Sequence, residues 1–567
     1  PGVTILQDSA SYGTLTAGST IWNNAEPFRF ETVASLPSEP IPFELAVTAN
    51  PDAEYPYNKV IPFNVELSLV QNGWPFDVGG ASTSSPVLYN LDAEPDLEIV
   101  FGDQGGYIHA LKHDGETELP GFPIQTGCAV VGSLAMSDVD RDGLKDFAAS
   151  LQNNDIMLFN QNGTELWRVP AGGTLRAGPV IASLEMNDER QVITATQTGN
   201  LIVLDANGDD YPNFPVNVGG ACLGPVAIAD LNCDGTHEIL LATLNGNLIA
   251  INSSTGESMP GFPVTMQGGS MNPLTIANLD ADSQPEIIVT TSTAGYVLAY
   301  NHDGSVLFEK NVGGQIKTGA VVADINDDGS QEIIVIGASG MINVLTTSGY
   351  DLAGTPITTD QAVECTPTIA YFDNDGQAGI IFGDTDGMLH SIRLDGTESA
   401  NFPINITGNI KVSASLEDID RDGDFDIVIP NDAGFFAIDV KRPAQSLEWP
   451  CFMGHYNRSG NIFQPVPNPD NPVPELTTAL KGNYPNPFNP TTDIKFELAE
   501  GAQTSIAIFN QKGQLVKTLV DSSLPAGKHQ AQWDGKDDNG LPVSSGVYFY
   551  LMRSGKFSST RKMVLMK

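Results

Sequence analysis

The residues best suited to chemistry are acidic and recur in one pattern. In Asp138-Val139-Asp140-Arg141-Asp142-Gly143-Leu144-Lys145-Asp146, carboxylates at the first, third and fifth positions can converge on a point if the chain curls tightly, and Gly143 permits the curl. The backbone carbonyl of Leu144 can add an oxygen and Asp146 closes the shell, giving the all-oxygen environment that Ca²⁺ prefers. With the first ligand position as a marker, the pattern returns at Asn90, Asp138, Ser183, Asp230, Asn278, Asp324, Tyr371 and Asp418. The intervals are 48, 45, 47, 48, 46, 47 and 47 residues, so the chain holds eight repeats.

The elements around each loop are short β-runs. In the fourth repeat, Gly224–Ala229 reads as a first strand, the acidic loop runs from Asp230 to Glu238, and residues 239–243, 248–251 and 262–264 supply three more strands. Four short antiparallel strands in such a span make one propeller blade, which cannot bury both faces alone and must stack on its neighbours. Phe-Pro or Trp-Pro recurs at Trp74-Pro75, Phe122-Pro123, Phe214-Pro215, Phe262-Pro263, Phe402-Pro403 and Trp449-Pro450. Proline suits an outermost strand, where one hydrogen-bond donor can be spared. The Trp74-Pro75-Phe76 strand precedes the first repeat, so it can complete the last one and clasp a ring. The expected fold class is all-β: an eight-bladed β-propeller flanked by immunoglobulin-like β-sandwich domains.

These loops resemble the FG-GAP or VCBS type of propeller repeat, which implies several structural Ca²⁺ ions. Asp138, Asp140, Asp142, Leu144 and Asp146 match the full pattern in the second repeat, as do Asp418, Asp420, Asp422 and Asp426 in the eighth. Asp230, Asn232, Asp234 and Glu238, and likewise Asp324, Asn326, Asp328 and Glu332, match with Asn and Glu changes. Asn278, Asp280, Asp282 and Glu286 keep the ligands with Ser283 in place of glycine. The first repeat offers Asn90, Asp92, Glu94 and Glu98 around Pro95, whereas the third (Ser183, Glu185, Asn187, Gln191) and the seventh (Tyr371, Gly379) depart most and are expected to be weak or empty.

Composition narrows the function class. There are 27 basic and 69 acidic residues in 567, a net charge of −42, which argues against nucleic acid or anionic membranes as partners. Residues 481–567 carry 11 Lys/Arg and 7 Asp/Glu, so 16 basic and 62 acidic residues remain upstream and the tail is a distinct module. Five scattered cysteines without a CxxC pair suggest buried thiols, with room for one disulfide. No apolar run is long enough for a membrane span. The chain opens at Pro1-Gly2 in what reads as mid-domain, so an upstream part is expected.

Four segments follow: a partial immunoglobulin-like sandwich over 1–70, the propeller over 71–461, a Pro-rich linker over 462–480 and a second immunoglobulin-like sandwich over 481–567. The phrase Tyr12–Thr20 loosely resembles modules that follow the catalytic domain of some secreted peptidases. The tail, with Tyr484-Pro485-Asn486-Pro487-Phe488, Gly546-Val547-Tyr548 and Lys562-Met563, closely resembles the type A sorting domain of type IX secretion cargo. That resemblance implies export through the type IX machinery, engaged by 481–567, to the cell surface or medium. The functional expectation is a non-catalytic binding, adhesion or structural module for an extracellular protein or glycan. A polysaccharide lyase-like enzyme, or the C-terminal part of a secreted peptidase, is the alternative.

Overall fold

The computed structural model describes residues 3–7, 9, 29–32, 41–49, 57–65, 68–79, 82–92, 94–185, 187, 189–280, 282–359, 361–371, 377–443, 446–461, 478–484, 488, 490–498, 502–512, 514–524, 527–537, 541–555 and 557–566. It is all-β, with no helix among these residues, and hence none long and apolar enough to cross a membrane. The chain divides into two compact units, residues 1–463 and 464–567.

In the first unit, two hairpins (Val3–Gln7 with Arg29–Thr32, and Ile41–Ala49 with Tyr57–Val65) precede eight antiparallel sheets. The strand at Tyr57–Val65 was not among those expected from the sequence, and the Tyr12–Thr20 phrase lies outside the described residues. The first strands of sheets one to eight are Val87–Tyr89, Val130–Ser137, Val180–Ala182, Ala227–Ala229, Thr275–Ala277, Val321–Ala323, Thr368–Tyr371 and Ser415–Glu417. Sheet four is typical, with Ala227–Ala229, Glu238–Ala242, Asn247–Asn252 and Val264–Thr265 in sequential order.

The second strand of each sheet is buried along its length because both of its faces meet a neighbour. Ile239 and Leu241 pack with sheet three, whereas Leu240 and Ala242, on the other face, pack with sheet five. Period-two alternation in a strand buried on both sides yields the continuous apolar runs seen in the sequence. Such apolar clusters join sheets one and two, two and three, and so on to seven and eight. A further cluster joins the eighth to the first, with Val428, Phe435 and Ala437 against Leu88, Ile99 and Phe101.

Two segments far apart in sequence complete these sheets. Sheet eight takes three strands from Ser415–Glu417, Asp424–Asn431 and Gly434–Pro443, and residues 69–76 lie antiparallel along the third. Gln71 N donates to Ala437 O (2.8 Å), Phe76 N to Phe435 O (2.8 Å), and Phe435 N back to Phe76 O (3.0 Å). At the other end, Ser446–Trp449 pairs with the first strand of sheet seven. Trp449-Pro450 was expected on an outer edge like the Phe-Pro pairs, but Trp449 is buried beside an innermost strand. Thr355-Pro356, just before the outer strand Ile357–Thr358, fills the corresponding place in sheet six.

From there residues 450–461 form a strap across the first strands. Pro450 O accepts from Leu416 N, Tyr456 O from Met136 N, Asn457 O from Ile181 N, Ser459 O from Ile228 N and Gly460 O from Ile276 N, all at 2.9–3.0 Å. Each donor lies in a first strand, and its N–H has no sheet partner on that side and would otherwise be stranded in the interior. Arg458, 1% exposed, donates to the carbonyls of Leu134 (3.0 Å), Phe452 (2.7 Å), Ser85 (3.1 Å) and Pro86 (3.2 Å).

The second unit contains a three-stranded sheet (Ala479–Tyr484, Thr492–Leu498, Gly527–Trp533) and a four-stranded one (Leu515–Leu524, Ala502–Asn510, Gly546–Ser554, Phe557–Leu565). Both contribute to one core that includes Ile494, Phe496, Ile506, Trp533, Tyr550 and Met563. All five cysteines are free thiols, and the expected Pro-rich linker lies almost entirely outside the described residues.

Candidate metal centres

Each acidic loop connects the first and second strands of its sheet. In loops two, four, six and eight the backbone takes the same path. The fourth loop residue is left-handed (Arg141, φ 65°; Cys233, 58°; Asp327, 57°; Arg421, 59°), as is the glycine two positions on (Gly143, 87°; Gly235, 89°; Gly329, 90°; Gly423, 98°). Glycine adopts this conformation at little steric cost, which explains its place in the motif. The first-position carboxylate accepts from that glycine: Asp138 at 3.1 Å, Asp230 at 2.9 Å, Asp324 at 2.9 Å and Asp418 at 3.1 Å. The third and fifth positions accept from amides two residues on, for example Asp140 from Asp142 N and Asp142 from Leu144 N.

The last ligand position is buried at the start of the second strand. Its carboxylate caps the loop by accepting from a backbone N–H: Asp146 from Val139 (2.8 Å), Glu238 from Leu231 (3.0 Å), Glu286 from Leu279 (2.6 Å), Glu332 from Ile325 (3.1 Å) and Asp426 from Ile419 (2.9 Å). Glu98 and Gln191 do the same in loops one and three.

Three loops bring carboxylate oxygens to within 4.8 Å of one another: Asp138, Asp140 and Asp146; Asp280, Asp282 and Glu286; and Asp418, Asp420 and Asp426. In these loops Asp138 Oδ1, Asp146 Oδ1, Glu286 Oε1 and Asp418 Oδ1 are buried and accept no hydrogen bond. A buried oxygen without a donor is costly, and a divalent cation supplies what it lacks. Burial, augmented by neighbouring carboxylates, pushes Asp146 up to about 6, Glu286 to about 7 and Asp426 to about 8. The donor set, all hard oxygen and short of positive charge, fits a divalent cation.

The other loops differ. In loops four and six, Asn252 Nδ2 and Asn326 Nδ2 occupy the second oxygens of Glu238 (3.2 Å) and Glu332 (3.3 Å), and burial raises both carboxyls to about 7. Loop five, one of the three convergent loops, differs from loops two and eight at its first position, where Asn278 Nδ2 donates to the loop's own Asp282 carbonyl. Loop one already holds a cation, because Lys112 Nζ contacts Asp92 (3.1 Å) and Glu94 (2.7 Å). In loop three Ser183 Oγ turns onto the carbonyls of Glu185 and Asn187. Residues 372–376 of loop seven lie outside the described residues, while its Tyr371 donates to Asp324 O of loop six (2.7 Å). A second acidic group beside loop eight, Asp420, Asp422 and Asp439, carries Lys441, which pairs with both Asp439 and Asp422.

Two further constellations were not foreseen from the sequence. His109, 8% exposed, lies between Glu118 (2.8 Å) and Asp103 (3.4 Å), and His390, 9% exposed, lies between Glu398 (2.7 Å) and Asp384 (3.3 Å). Both occupy the third strand of their sheets. The repeat spacing carried a signal, since each histidine follows its aspartate by six residues.

Comparison with known proteins adds two family matches. Residues 287–397 match the lambda-carrageenase beta-propeller domain, and residues 483–555 match the FlgD Ig-like domain. No curated protein sequence matches significantly. Among solved structures, Saccharomyces cerevisiae Sqt1 is similar over 65% of this chain and 99% of its own, at 13% identity and a TM-score of 0.49. The V. cholerae biofilm matrix protein Bap1 gives 67% and 92%, at 12% identity and a TM-score of 0.48. BamB from Moraxella catarrhalis gives 63% and 96%, at 14% and 0.44. Two segments of this all-β chain are thus similar to known families, one to a carrageenase-type β-propeller domain and one to a FlgD-type Ig-like domain.

Proposed function

We propose that the chain is a secreted, calcium-stabilised, closed eight-bladed propeller that acts as a non-catalytic binding, adhesion or structural module, exported through type IX secretion by residues 481–567. The observation that carries this reading is the set of buried, unpartnered carboxylate oxygens converging in loops two, five and eight. Ca²⁺ there ties the first strand to the second and offsets carboxylate repulsion, adding its binding energy to the folded state. Closure is supported by the core shared between the last and first sheets and by the pairing of residues 69–76 with the eighth. The sorting role rests on the Tyr484–Phe488 and Lys562-Met563 motifs together with the two-layer sandwich of the second unit.

Thermal unfolding with Ca²⁺ and with EGTA, followed by metal quantification on the same sample, tests the calcium reading. A higher midpoint in Ca²⁺ with about three ions per chain is expected; no shift and no bound metal overturns it. The carrageenase-type match favours one alternative, a polysaccharide-cleaving propeller. Release of reducing ends or unsaturated sugars from a panel of acidic polysaccharides would select it.

A further inference from the structure

The acidic loops leave one end of the first strands, and at the other end the same strands surround a cavity of about 230 Å³. Its rim has a regular construction. Seven residues before the first ligand position of each loop stands one residue per sheet, and from sheets three to eight these are Arg176, Leu223, Met271, Lys317, Glu364 and Lys411; the other two are uncharged. All six line the cavity, and Phe452 from the strap lines it too.

The charge at this rim runs against that of the chain. Residues 1–480 contain sixteen Lys and Arg, about one in thirty, so eight positions would carry about 0.3 of a basic residue, yet three are present. Only Lys317 is neutralised, by Glu364 at 2.5 Å. Arg176 donates to the neutral Gln197 (3.2 Å), and Lys411 makes no ion pair among the described residues. Each rim residue precedes the first ligand position of its loop by seven residues. Seven residues of extended chain span roughly 20 Å, beyond two Debye lengths at physiological salt, so the acidic loops do not cancel the rim. Between Arg176 and Lys317 the rim offers Leu223 and Met271, the latter 43% exposed.

We infer that this axial cavity binds a small organic anion, a carboxylate or sulfate ester carried on a compact body whose apolar face rests on Leu223 and Met271. Arg176 engages the anionic oxygens through its planar fork and Lys411 adds a point charge. This deepens the binding-module reading and names the ligand chemistry, but it does not depend on metal in the loops.

The test is calorimetric titration of the full chain, at physiological salt with Ca²⁺, using glucuronate, glucose 6-sulfate and neutral glucose. Binding of either anion without binding of glucose is expected, and which anion binds identifies the source of the charge. Arg176→Ala combined with Lys411→Ala should weaken binding at least tenfold. Glu364→Gln should tighten it by releasing Lys317. All these side chains except the half-buried Glu364 are exposed, so folding is checked by an unchanged thermal midpoint. Failure of both anions to bind, equal binding of glucose, or undiminished binding by the double variant overturns the inference. Ca²⁺-dependent stabilisation measured on the same samples reports separately on the loops, so a failed rim and failed metal sites are distinguishable.

Discussion

Asp426→Asn should change stability in opposite directions with and without Ca²⁺. Asp426 is 1% exposed, accepts from Ile419 N (2.9 Å) and Gln71 Nε2 (2.7 Å), and lies in the loop-eight cluster. Burial, reinforced by Asp420, Asp439 and Asp422, lifts its carboxyl from 3.8 to about 8. A carboxyl raised on folding favours the fold fully below its unfolded value, and this stability is lost as pH rises towards the folded value. In chelator at pH 7, the folded state therefore retains a proton that the unfolded state has released. Across the 3.2 pH units from 3.8 to 7 this costs at most roughly 4 kcal/mol, at about 1.4 kcal/mol per unit.

Asparagine resembles the protonated carboxyl and carries no such cost. In EGTA at pH 7 the variant should exceed the wild type by on the order of 2 kcal/mol, and the gap should shrink by pH 5. With excess Ca²⁺ the order reverses: a roughly hundredfold loss of affinity for want of one carboxylate removes about 2.7 kcal/mol. Scanning calorimetry of the full chain, following the transition of residues 1–463, reads both arms. Equal destabilisation in Ca²⁺ and EGTA would refute the reasoning and leave Asp426 as a hydrogen-bond acceptor for Ile419 and Gln71 alone.

Lys112→Ala should free Asp92 and Glu94 and let loop one take up an additional Ca²⁺, visible as one more ion per chain in metal analysis; an unchanged count means the lysine blocks nothing. Arg458→Ala removes a donor from four carbonyls of the strap and sheets one and two, of which Pro86 O keeps Ser415 Oγ (2.7 Å), and should cost about 3–5 kcal/mol in urea unfolding, with Arg458→Lys recovering only part. His390 is pulled down by burial but lifted further by Glu398 and Asp384, so its folded value is raised. Its contribution is complete below the unfolded value of about 6.5 and is lost as pH rises through the folded one. His390→Gln should remove that part of the pH dependence, measured as the difference in midpoint between pH 5.5 and 8.5.

Local spacing was enough to read the period, the four-strand unit and the acidic loops. Asp138 and Gly143, or Asp146 and Val139, are separated by five to seven residues, and a tight turn brings such partners together wherever it occurs. The apolar runs of the second strands were legible for the same reason, since alternation governs which face each side chain meets. The same spacing did not distinguish loop two from loop one. Both present oxygen donors at the motif positions, but Lys112, just past the third strand of sheet one, fills the acidic group of loop one with its own charge.

Long-range partners needed the whole fold. Gln71 meets Asp426 across 355 residues and Arg458 meets Ser85 across 373. Trp449-Pro450 carries the local signature of an outer edge, yet it enters the interior because first-strand N–H groups there lack acceptors and the following strap provides them. The rim of Arg176, Lys317 and Lys411 has the same origin: isolated basic residues in the sequence, 141 and 94 positions apart, are brought to one cavity because packed sheets place equivalent first strands side by side. Sequence by itself determined what each repeat contains, through contacts a turn can make. Tertiary structure decided which repeats share charges, acceptors and a cavity, because those depend on the packing of sheets distant in the chain.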